Sequence, residues 1–161
     1  MSETRIVEGG LSASGRRFAV VAARFNGRVV ESLVSAAVDC FIRHGAAAAE
    51  ITVVRVPGAW ELPLVLEELA LSGRYDALVA LGVVIEGETP HFDYVCAECS
   101  KGIASISTRY RLPIGFGVLT THNTEQAEAR AGGKAGNKGW DAALAALEMA
   151  DLLARLRRPQ E

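Results

Sequence analysis

Four short stretches of this chain are apolar almost without interruption: "RFAVVAARF" (17–25), "EITVVRVP" (50–57), "DALVALGVVI" (76–85) and "PIGFGVLTT" (113–121). They are rich in Val and Ile and continuous rather than alternating, so they read as strands covered on both faces, the environment of a parallel sheet. Parallel strands need long crossovers, and the segments between these runs have helical spacing. In "GRVVESLVSAAVDCFIRHG", Val30, Val34, Val38 and Phe41 fall on one stripe, and Gly45 follows as the residue that closes the helix. "ELPLVLEELALSG" stops in the same way at Gly73. "HFDYVCAECSKGIASISTRYR" holds a third helix, and the Ala- and Leu-rich "NKGWDAALAALEMADLLARLRR" a last one. Strand and helix alternate throughout. The pattern predicts an α/β three-layer sandwich with right-handed crossovers and a mostly parallel four-stranded sheet between helices. Residues 1–161 read as one domain, with an arm at 1–12 whose "RIVEG" run has no local partner and is expected to pair with another chain.

Composition narrows the partners. A chain of 161 residues can bury roughly 70% of the surface it exposes when unfolded. With 50% hydrophobic and 22% charged residues, it has the balance of a globular protein rather than a disordered or membrane-embedded one. A net charge of −2 offers no basic footprint for nucleic acid or an anionic membrane surface. There is no apolar run near the 20 or so residues of a membrane span and no leader-like opening, so the expected location is the cytoplasm. Three cysteines, an odd number, fit reduced thiols there.

Ligands of open α/β sheets sit at the carboxyl ends of the strands, so the residues just after each run are the ones to inspect. Phe25 and Asn26 follow the first, "PGAWE" the second, "EGETPH" the third and "TTHN" the fourth. In the third, Thr89 suits an N-cap and Pro90 the first helical position, which puts His91 in the first turn beside the free N–H groups of Gly87 to Thr89. Such N–H groups suit an anion, and histidine is the side chain that titrates nearest neutrality. One junction can thus hold a phosphate and a proton acceptor. Alone, the motif also fits a capped helix whose histidine packs or faces water. Trp60 is either core or pocket wall, Glu61 can accept hydrogen bonds from a polyol, and Phe25 either packs or stacks on a flat heterocycle.

"CAEC" (Cys96 to Cys99) has the spacing of a zinc or redox pair, and Cys40 with His44 could complete a four-ligand site. Against this, the pair lies inside a helix rather than at its start, where thiolate would be favoured, so small buried hydrophobes are the simpler account. "AGGKAGNKG" (131–139) lacks the spacing of a phosphate loop and reads as a flexible break between two helices. Arg130 just before it can grip an anion through two bonds or stand solvated.

Taken together and in order, "ARFN", "VPGAWELP", "GVVIEGETPHFDYV", "GFGVLTT" and "RAGGKAGNKG" resemble the lumazine synthase family nearly end to end. The resemblance implies a flavodoxin-like fold and the condensation of 5-amino-6-(D-ribitylamino)uracil with L-3,4-dihydroxybutan-2-one 4-phosphate, with no cofactor and no metal. It implies that Phe25, beside Asn26, stacks on the pyrimidine, that Ala59, Trp60 and Glu61 hold the ribityl chain, and that the backbone of Val83, Val84 and Ile85 reads the ring. Phe116 would reach a neighbouring subunit's site. Glu88 and Thr89 by their backbone and Arg130 by its side chain would bind the phosphate, His91 would move protons, Lys138 would face the ribityl group, and Asp141 would partner Arg130. It further implies pentamers, an icosahedral shell of 60 copies and association with riboflavin synthase. The alternative it leaves is a shell protein that binds a flavin or lumazine without turnover. Two positions depart from the family's pattern: Ala129, where many members carry Glu, and His122, where an acidic or small residue is common.

Overall fold

The computed structural model describes residues 3–159. Its elements follow the expected alternation: β1 (Phe18–Ala23), α1 (Gly27–Arg43), β2 (Ile51–Val56), α2 (Leu62–Ser72), β3 (Ala77–Ile85), α3 (His91–Tyr110), β4 (Ile114–Thr121), α4 (Thr124–Arg130), β5 (Ala131–Gly133), β6 (Gly136–Asn137) and α5 (Lys138–Arg157). β1 to β4 make one parallel sheet in the order β2-β1-β3-β4. β1 is thus central, with its sequence neighbour on one side and β3 on the other. The strand order reverses between β1 and β3, and that gap is where such sheets open a crevice.

Two cores form because each face of the sheet is covered separately. On one face Phe18, Val20 and Ala22 meet α1, α4 and α5, with the rings of Phe18 and Phe41 stacked at 4.0 Å between centroids. On the other, Ala19, Val21 and Ala23 meet α2 and α3. β1 is buried along its whole length, whereas β2 leaves Thr52, Val53 and Arg55 exposed. The expectation of burial on both faces fails for the two edge strands, β2 and, at Phe116 and Thr120, β4, because an edge strand has a neighbour on one side only.

Gly45 and Gly73 have the positive φ expected after α1 and α2. α3, in contrast, ends on Arg111 at φ 50°, a left-handed position held by a non-glycine residue and without a sequence signal. The 131–139 segment is not a featureless break: β5 and β6 form a small antiparallel hairpin, and Asn137 Oδ1 then caps α5 by accepting from Gly139 N at 2.8 Å and Trp140 N at 3.3 Å. The "RIVEG" run forms no strand among the described residues; Met1 and Ser2 of the expected arm lie outside them. Gly10 N donates to Asp151 Oδ2 at 2.6 Å, which ties the arm to α5. No helix among the described residues is long and apolar enough to cross a membrane.

Candidate functional site

The carboxyl ends of β1, β2 and β3 converge on a cleft of 760 Å³. Beyond β1 the ladder continues, with Arg24 N donating to Val56 O at 2.8 Å and Phe25 N to Pro57 O at 3.0 Å, so Phe25 leaves the sheet rigidly held yet 72% exposed. Asn26 turns the chain at φ 58° and its Nδ2 donates to Val83 O at 2.9 Å, bridging the β1 and β3 ends. Asn26 therefore supports the cleft from below and does not line it. After β2, the 57–61 turn is fixed by Glu61 Oε2, which accepts from Gly58 N at 3.0 Å. One carboxylate oxygen is thereby occupied by the backbone, and Trp60 stands 57% exposed at the rim.

Phe25, Ala59, Trp60, Glu61, Val83, Val84, Ile85, Thr89 and His91 all line this one cleft, and Glu88 stands in its rim loop between the lining residues Gly87 and Thr89. The walls are mostly apolar with few polar groups, the usual make-up of a small-molecule site. Thr89 does not cap α3: the cap position is Pro90, no side chain bonds there, and His91 is the first helical residue. The difference is one residue, because Pro90 at φ −69° already has the helical φ. Sequence reasoning passed over Tyr94 and Val95, which also line the cleft. Their signal was present, since they follow His91 at the i+3 and i+4 positions that share a helix face.

Phe116, Arg130 and Lys138 do not line the cleft. Phe116, half exposed on edge strand β4, lines a separate 510 Å³ cleft with Leu112, Met149 and the end of α3. Arg130 and Lys138 flank the β5–β6 hairpin, whose neighbours Ala127, Ala142 and Ala143 pack in the α1 and α5 layer, across the sheet from α2 and α3. Arg130 Nη1 donates to Gln126 O at 2.9 Å. Asp141 lies 3.6 Å from Lys138 Nζ and not on Arg130, because both residues sit on the first turn of α5 at i and i+3.

The same layering separates the cysteines of the disfavoured zinc alternative. Cys40 belongs to the core on the α1 side and Cys99 to the core on the α2 side, so the sheet separates them. Among the described residues no three His, Cys, Asp or Glu side chains gather as a metal site. Burial, aided by Asp39 and Asp141, pushes the Cys40 thiol up to about 11; burial likewise pushes Cys99 to about 11 and raises Cys96. Such thiols stay protonated near neutrality, as buried structural cysteines do. His44 Nδ1 sits 2.6 Å from Cys40 O, closing the end of α1.

A parallel α/β sheet of the flavodoxin-like class thus carries, at its strand-order reversal, a mostly apolar cleft lined by an exposed phenylalanine, a carboxylate and a histidine that opens a helix, the make-up of a small-molecule site. Comparison with known proteins makes this specific. The 6,7-dimethyl-8-ribityllumazine synthase family model matches residues 15–154. The chain is 58% identical over 150 residues to the 6,7-dimethyl-8-ribityllumazine synthase of Chlorobaculum tepidum, covering 93% of this chain and 97% of that protein. It is 55% identical over 148 residues to that of Desulfatibacillum aliphaticivorans (92% and 96%) and 54% identical over 153 residues to that of Aquifex aeolicus (95% and 99%). The chain belongs to the 6,7-dimethyl-8-ribityllumazine synthase family.

Proposed function

We propose that the cleft condenses 5-amino-6-(D-ribitylamino)uracil with L-3,4-dihydroxybutan-2-one 4-phosphate, releasing phosphate and water and yielding 6,7-dimethyl-8-ribityllumazine, the penultimate step of riboflavin synthesis. The observation that carries this reading is the convergence of Phe25, Trp60, Glu61, Val83 to Ile85 and His91 on one cleft in a chain of this family. Phe25 stacks on the pyrimidine, the 59–61 turn holds the ribityl chain, and the backbone of 83–85 reads the ring edge. Backbone N–H groups at Glu88 and Thr89 receive the phosphate. The amine attacks the ketone to form an imine with loss of water; loss of phosphate and attack by the second nitrogen then close the ring with loss of a further water. Each step moves protons and none moves electrons to an acceptor. His91 at the cleft edge is the group suited to carry those protons. Holding two substrates in register is the larger contribution, since orientation can supply roughly 7–11 kcal/mol.

Phe116, Arg130 and Lys138 serve the site of an adjacent subunit in this reading, which places the catalyst in the cytoplasm as a pentamer or a 60-copy shell able to associate with riboflavin synthase. Its support is that the cations lie in the opposite layer from His91, while Phe116 and β2 present uncovered apolar surface. The test mixes both substrates with purified protein and follows lumazine fluorescence and phosphate release. His91→Ala should slow turnover by less than the roughly 10²–10⁴-fold typical of a general acid–base residue, because water and substrate groups carry part of the proton traffic. A protein that binds the lumazine but releases no phosphate is instead the non-catalytic shell protein.

A further inference from the structure

Glu86 and His122 have no part in the reaction as described, yet they join two strand ends beside it. Glu86 follows the last residue of β3, and its backbone N–H donates to Thr121 O at 2.9 Å, prolonging the β3–β4 ladder by one step. That step sets the Glu86 carboxylate against His122 Nδ1. His122 is anchored from the far side as well: its backbone N donates to Gln126 Oε1 at 2.8 Å, and Gln126 N donates to Asn123 Oδ1, the cap of α4, at 2.8 Å. Past Glu86, the backbone N–H groups of Gly87, Glu88 and Thr89 meet no acceptor among the described residues. Two carboxylate residues, Glu86 and Glu88, therefore stand within one residue of donors that would meet a phosphate, and like charges oppose one another.

We propose that His122 is a positioning residue for the phosphorylated substrate: it holds the Glu86 carboxylate against the β4–α4 junction, so that this carboxylate is not free to turn toward a phosphate on the 87–89 donors. The inference rests on the assignment of that loop to phosphate. The Glu86 and His122 side chains are 46% and 74% exposed, so the pair contributes little to folding and its effect falls on anion binding.

The test is steady-state kinetics on both substrates for His122→Asn, Glu86→Gln and the double variant, with inorganic phosphate binding measured alongside by calorimetry. His122→Asn should raise KM for the ketone phosphate roughly threefold to fivefold, leave KM for the pyrimidine and kcat nearly unchanged, and weaken phosphate binding in parallel. Adding Glu86→Gln should return both readouts to near wild type, because the released carboxylate is gone. An unchanged KM, equal rises for both substrates, or a double variant as impaired as His122→Asn overturns the inference. Wild-type protein that turns nothing over, yet shows the same phosphate pattern across the variants, overturns the proposed reaction and keeps the role of His122.

Discussion

Arg130 and Lys138 are long cations whose contacts are made within their own helices: Arg130 with the Gln126 carbonyl, Lys138 with Asp141. The Lys138 contact is exposed and the Arg130 contact only partly buried, so an arriving ligand can replace either at small cost. As an anion clamp, Arg130 faces phosphate alone, and Arg130→Ala should raise KM for the ketone phosphate by tenfold or more, since hydrogen bonds to charged groups contribute about 1.5–3 kcal/mol. The pyrimidine KM should hardly change. Arg130→Lys should recover only part of the loss, because a point charge cannot reproduce the planar fork. Equal effects on both substrates in steady-state kinetics would mark a structural role. Asn26 shows the other side of the residue scale: its type and place after β1 were plain in the sequence, but its bond to Val83 O was not, because that bond spans 57 positions.

Between elements, α5 approaches α1 closely enough that a Cβ on Gly139 would run into the Leu33 carbonyl. Gly139→Ala should therefore destabilise the fold by about 1–3 kcal/mol, the usual cost of overpacking, read as a lower urea midpoint with unchanged slope. A second tie joins the N-terminal arm to α5. Asp151 accepts from Gly10 N at 2.6 Å and Arg155 Nε at 2.7 Å, and Arg16 Nη2 at 3.0 Å completes the cluster. The Gly10 N–H first, then Arg155 and Arg16, hold its carboxyl down at about 2. A carboxyl lowered by folding favours the ionised form, so its contribution is complete above the unfolded value of about 4. It is lost as pH falls through 2. Thermal midpoints recorded from pH 5 to pH 2 should drop more steeply for wild type than for Asp151→Asn; parallel curves would remove Asp151 from acid sensitivity.

At the scale of the molecule, Phe25, Trp60, Leu64, Leu71, Tyr94 and Phe116 are all exposed large apolar or aromatic side chains, more than scattered surface residues need explain. Edge strand β2 leaves Val53 38% exposed, and the "RIVEG" run has no strand partner among the described residues. If adjacent copies cover these surfaces, light scattering at near-neutral pH should give a pentamer at least, and electron microscopy closed shells. Pentamers alone at high protein concentration would rule out the shell and keep the shared site. A fully active monomer would remove both.

Strand and helix existence, the glycine helix stops and the order of the site motifs are legible in the sequence because each depends on a few adjacent residues: a buried run, a 3.6-residue stripe, a residue free to adopt positive φ. The cleft residues from Phe25 to His91 share that legibility, since parallel strands deliver all their carboxyl ends to one side. Layer membership is of another kind. Cys40 and Cys99 have ligand chemistry but stand on opposite faces of the sheet, and Arg130 lies in the layer away from His91. The left-handed turn at Arg111 and the Glu86–His122 contact likewise depend on segments distant in sequence. Local chemistry thus determined which elements form and which motifs can act, while the packing of helices onto two faces of one sheet decided which of those motifs can meet.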